Sequence, residues 1–145
     1  MSTSYEVTQS PHPDFPDLTA YTLSAPTGIA VTFVPAAGMV GSSLTHNGVE
    51  LLGMRAGLGA YRESGKTFGI PLLAPWANRL EHKQFGDVTL VTDGTPGVHL
   101  DGNGLPIHGL LAGCPDWKVT RSEAVQYGAG VANDQVGSWL VAELD

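Results

Sequence analysis

Charge is what this chain has least of. Asp, Glu, Lys and Arg make up 14% of its 145 residues, against a usual value of about 25%. Only seven residues are Lys or Arg against fourteen Asp or Glu, a formal net charge of −7, and none of the seven precedes Arg55. That leaves no basic footprint for a nucleic acid or an anionic membrane surface. A single cysteine, Cys114, excludes an internal disulfide and fits a reducing, cytoplasmic compartment. No apolar run approaches the roughly 18 residues that would span a bilayer. Residues 1–18 carry neither a positive stretch nor an apolar one and so do not read as a secretory signal. His12, His46, His82, His99 and His108 show no His-x-x-x-His spacing, and Cys114 has no second cysteine to complete a Cys-x-x-Cys pair. The spacing therefore predicts no metal site.

What is plentiful is glycine (19) and proline (10), the residues of turns. Leu, Ile, Val and Phe supply about a quarter of the chain, above the roughly 20% below which disorder prevails. The length suits one domain. Residues 1–17 are polar and proline-rich and read as an extended or frayed lead-in to a domain over 18–145. From Leu18 onward, short alternating runs lie between turn clusters, the pattern of antiparallel sheet. Thr19–Ser24 and Ile29–Val34 flank a hairpin loop at 25–28. Ser42–Thr45 and Val49–Leu52 flank His46-Asn47-Gly48, where Asn-Gly is a strong hairpin signal. The stretch 53–69 reads as irregular, Phe85–Thr92 as one strand closed by a turn at 93–97, and Trp117–Ser122 as another strand. Gly137–Asp145 reads as an apolar strand without a turn or cap after it, which predicts a longer parent chain or self-association through an open edge. No long amphipathic helix is visible, and the expected fold class is all-β.

Three segments carry candidate chemistry. The run 68–80 ends in Asn78-Arg79. Arg offers a planar fork of donors and Asn a donor with an acceptor, which suits neighbouring hydroxyls of a polyol. Spacing alone favours a turn Asn and a solvated Arg. In Ile107-His108-Gly109-Leu110, after the turn 101–104, His108 could donate to a substrate oxygen or move a proton near neutrality. A lone His in an apolar stretch is more often a satisfied core residue. The segment 34–44, rich in Gly, Ala and Ser, reads as a strand bend more readily than as a site of close ligand approach. Its glycines match no phosphate-binding pattern. Cys114 reads as a buried inert thiol. Glu81 and Asp87 read as solvated turn charges. Trp76, Trp117 and Trp139 read as core before sugar platform.

In order and together, these segments resemble the aldose 1-epimerase (galactose mutarotase) family. The matching elements are Phe33-Val34-Pro35-Ala36-Ala37-Gly38, Asn47-Gly48-Val49-Glu50-Leu51-Leu52, Pro71–Leu80 with Asn78-Arg79, Ile107-His108-Gly109-Leu110 and Trp117-Lys118-Val119. The resemblance implies an antiparallel β-sandwich with an open cleft for a free hexose and no cofactor. It implies that Arg79 contacts sugar hydroxyls, that His108 contacts the sugar near its reacting end in a supporting catalytic role, and that Asn78 binds more weakly. The family's later general-acid histidine, general-base glutamate and sugar-binding aspartate have no matching position here. The implied protein is thus the front part of an isomerase that interconverts α and β anomers, with weak or absent turnover on its own. The other readings are a non-catalytic carbohydrate-binding β-sandwich module and, last, a site for phosphorylated sugars, for which the cations Arg55, Arg62, Lys66, Arg79 and Lys83 form no cluster in sequence.

Overall fold

The computed structural model describes residues 4–53, 56–64, 66–90, 97–128 and 130–144. Its main feature is a five-stranded antiparallel sheet in chain order, β1 (Glu6–Pro11), β2 (Thr19–Ser24), β3 (Ile29–Val34), β4 (Val40–His46) and β5 (Val49–Glu50). The β2–β3 hairpin has the bounds that the alternation predicts. The β4–β5 hairpin turns at Asn47-Gly48, both at positive φ, as an Asn-Gly loop requires. β4 is longer than predicted and β5 shorter, because Glu50 ends the ladder. Its carboxylate accepts the backbone N–H groups of Leu44, Leu51 and Leu52 and the Ser43 hydroxyl, a side-chain alternative to strand pairing, although the Leu51 N–H also donates to the Leu44 carbonyl at 2.8 Å.

The predicted lead-in contains a strand. β1 pairs with β2 from Glu6↔Ser24 to Pro11↔Thr19. It escapes detection because it is polar and exposed along nearly its whole length, and its proline sits at the end of an edge strand where a lost N–H costs little. Residues 12–18 then close a compact turn in which the His12 and Leu18 backbones bond to one another at 2.8 Å. Here His12 is buried, and its Nδ1 accepts the Asp14 N–H.

The bend expected over 34–44 is a short 3₁₀ turn at Pro35–Ala37 followed by a β-bulge: Thr32 faces Ser43 and Phe33 faces Gly41, so Ser42 is the extra residue. Gly41 lies against the chain itself, exchanging both backbone hydrogen bonds with Ile70. A Cβ there would come within 2.9 Å of the Ile70 Cβ.

Two further expectations are corrected in the middle of the chain. The stretch 53–69 is not wholly irregular: Gly57–Ser64 forms a helix, α1. Gly59 weakens it, but Leu58 and Tyr61, three apart and so on one face, are 3% and 1% exposed. They join Leu18, Ala20, Val34, Ala37, Val40, Phe68 and Ala112 in one apolar cluster. Tertiary burial holds a helix that propensity disfavours. The run Phe85–Thr92 is not one strand either. Gly86-Asp87 makes a two-residue loop between β6 (Gln84–Phe85) and β7 (Val88–Thr89), and the predicted end of that strand and its turn at 93–97 fall mostly outside the described residues.

β8 (Lys118–Val125) extends the predicted Trp117–Ser122 strand and pairs with β9 (Gly137–Glu143). The C-terminal strand is therefore partnered along one side, contrary to the expectation of a free strand. A bulge at Thr120 puts Thr120 and Arg121 both outward and returns Ser122 to the inner side. The Arg121 guanidinium lies 5.5 Å from the Trp139 ring centroid. The hairpin rests on the first sheet, where the Ser138 hydroxyl bonds to the Glu6 and Ser24 carbonyls, 3.0 Å each. The described chain is all-β with antiparallel sheets and one short helix. Among the described residues no helix is long and apolar enough to cross a membrane.

Candidate functional site

Asn78, Arg79 and His108 are brought together by three stretches that run side by side without forming long strands. Arg79 bridges Ile107, and Leu100 bridges Pro106. The Leu80 N–H donates to Pro106 O, the Ile107 N–H to His99 O, and the His108 N–H to Asn78 O at 3.0 Å. These bonds set the 78–80 stretch on one side of 106–108 and the 99–101 stretch on the other.

The backbone is bent where the polar side chains lie. Asn78 and His108 have φ of 61° and 68°, the left-handed region that non-glycine residues seldom occupy, though Asn and His do so more readily than most. Gly109 follows His108 at φ 76°. A Cβ on it would fall 2.1 Å from the Ala74 carbonyl oxygen, to which the Leu110 N–H donates at 2.7 Å. The glycine of the His-Gly pair thus lets the two turns stack.

Arg79 is not merely solvated. Its side chain is half exposed, yet its Nε donates to Asp101 Oδ2 at 2.5 Å and its Nη1 to Asn78 Oδ1 at 3.2 Å. Asp101 Oδ1 accepts the backbone N–H groups of Asn103 and Leu105. The Leu105 amide and the Arg79 side chain, in that order, hold the Asp101 carboxyl down at about 2. It is an anion at neutral pH and a poor base. Asn78 is both the turn residue and a side-chain acceptor.

His108 is half buried. Its Nδ1 is buried without a hydrogen-bond partner among the described residues. Burial first, and then the charges of Arg79 and His99, push its pKa below the ordinary histidine value, so the ring is neutral at pH 7. A neutral imidazole offers one donor and one acceptor. Arg79 beside it offers exposed guanidinium donors.

Asp101 is the residue that the sequence conceals. Its position at the head of the 101–104 turn is legible, but its partner lies 22 residues upstream. His99 is also concealed, since it acts on His108 only through space. The other candidates stay apart. Trp76 is buried, with its ring 5.4 Å from that of Phe85, as core. Cys114 is not the fully buried thiol expected. It is half buried on the wall of a cavity of about 440 Å³, 3.9 Å from an Asp116 oxygen. Glu81 and Asp87 are exposed. Among the described residues no group of three or more His, Cys, Asp or Glu is placed to hold a metal ion. No family model, curated protein or solved structure matches the chain.

Proposed function

We propose that the Asn78–Arg79–His108 cluster binds a free hexose, as part of an aldose 1-epimerase-like β-sandwich working in the cytoplasm. The observation that carries this reading is the juxtaposition of an anchored, half-exposed guanidinium with a neutral imidazole. Together they offer donors and an acceptor to adjacent hydroxyls, without cofactor or metal.

Interconverting anomers requires a base to take the C1 hydroxyl proton while an acid protonates the ring oxygen. The open aldehyde then rotates about C1–C2 and recloses on its other face. The two groups must each stand within hydrogen-bond reach of the sugar. His108 can serve one side of that exchange. Arg79 stays protonated and cannot be the base, and Asp101 is engaged by Arg79 and two backbone amides. The cluster orients the sugar and lacks one half of the acid–base pair, a loss worth roughly 10²–10⁴-fold in rate.

That same engagement of Asp101 favours a second reading, a carbohydrate-binding module without catalysis. In either case glucose or galactose gives a saturable change in tryptophan fluorescence, and Arg79→Ala weakens it about tenfold or more, the worth of a charge-assisted hydrogen bond. Polarimetry then separates the two, since only the epimerase-like protein speeds mutarotation above the buffer rate. No response to any hexose sinks both. Self-association through the side of β9 away from β8 belongs to the same proposal, and sedimentation across a concentration series tests it.

A further inference from the structure

We propose that Asp101 makes the site selective for uncharged sugars, by cancelling the charge of Arg79 and occupying the edge of its guanidinium that would otherwise grip an anion. This rests on the sugar-site reading above and names the residue that sets its selectivity.

A lone arginine is a binding site for carboxylates and phosphates, which it grips with two parallel hydrogen bonds. Asp101 blocks that mode in two ways. Its Oδ2 takes the Nε donor, so the side-on edge formed by Nε and Nη2 is closed to a bidentate partner, while Asn78 Oδ1 already engages Nη1. Nη1 and Nη2 each carry two hydrogens, so donors for hydroxyls remain at the far end of the guanidinium, where it is the charge of Asp101 that opposes an anion. Its charge also opposes any incoming anion at nearly the distance from which Arg79 attracts it, so the Coulomb terms cancel. The carboxylate cannot swing away easily, because the Asn103 and Leu105 amides hold its other oxygen at 2.8 and 3.0 Å. His108 is the further titratable group close enough to feel the charge of Arg79. A neutral His108 adds no cation to attract an anion.

The test titrates the full chain with glucose, glucuronate and glucose 6-phosphate at low ionic strength, followed by tryptophan fluorescence, alongside Asp101→Asn and Asp101→Glu. Asn keeps an oxygen for the Asn103 and Leu105 amides while removing the charge. The unaltered protein is expected to prefer glucose over either anion by about tenfold or more. In D101N that preference shrinks by about tenfold, and the gained affinity for the anions fades with added salt. D101E keeps the preference for glucose. Glucuronate binding to the unaltered protein as tightly as glucose overturns the inference, and that measurement decides the matter should D101N fail to fold. A folded D101N that binds glucose and still rejects both anions overturns it while leaving the sugar site standing. An unaltered protein that binds none of the three overturns the sugar site and the inference together.

Discussion

Single side chains in this protein act through partners far away in the chain, and their pH behaviour shows it. Asp101 is held as an anion by the Leu105 amide and Arg79. The native state therefore favours its deprotonated form, and the stability it adds is complete above its unfolded value of about 3.9 and is lost as pH falls toward about 2. Urea unfolding at a series of pH values is expected to show the advantage of the unaltered protein over D101N shrinking across that window. His108 has the opposite charge type and the same slope. Its native environment disfavours the imidazolium, so the unfolded chain binds the proton more tightly and stability falls as pH drops below about 6.5. His108→Asn, which tolerates the left-handed backbone at φ 68°, is expected to flatten that part of the stability profile. Gly109→Ala is harsher, since the added methyl collides with the Ala74 carbonyl at a positive φ. Denaturant unfolding is expected to show a loss of about 2 kcal/mol or more.

Elements in this chain are short, and most are held by what they pack against. α1 is the clearest case. Its Gly59 costs helix stability, and the face carrying Leu58 and Tyr61 supplies it through the core. Leu58→Ala is expected to destabilise the whole fold by about 2–5 kcal/mol, the usual cost of emptying a buried leucine site, with thermal unfolding as the readout. The β2–β3 hairpin needs no such support to be read, because alternation and a loop of Ala25-Pro26-Thr27-Gly28 declare it. The β6–β7 hairpin is misread because its strands are two residues each, too short to show a period of their own. In β8 the bulge at Thr120 breaks the two-residue period that the sequence otherwise shows.

Across the whole molecule, β1 is the part whose importance is least proportionate to its composition. It is polar and exposed, yet it covers the open side of β2 and meets the β8–β9 hairpin through the Glu6 carbonyl and Ser138. Tyr5 and Gln126 bond to each other in both directions beside it. Deleting residues 1–11 is expected to bare the β2 edge, with Tyr21 and Leu23 on it, and an uncovered apolar edge pairs with its copies. Sedimentation of the shortened chain is expected to show larger assemblies than the full chain at the same concentration.

The amino-acid sequence by itself determined the class of the fold, the β2–β3 hairpin, the Asn-Gly turn and the presence of strands near 117–122 and 139–142. All of these follow from period-two alternation and turn chemistry, which act over a few residues. It also exposed Asn78, Arg79 and His108 as residue types able to meet a polyol. The tertiary structure alone decided that a glycine-weakened segment is a helix, that a polar lead-in contains an edge strand, and that Asp101 grips Arg79 across 22 residues. It also decided that the His108 pKa lies below its ordinary value, because burial and the nearby Arg79 and His99 act through space. Local periodicity records which way a side chain points along one strand. It does not record which distant stretch lies beside it, and at this site the neighbouring stretches set both charge and hydrogen bonding.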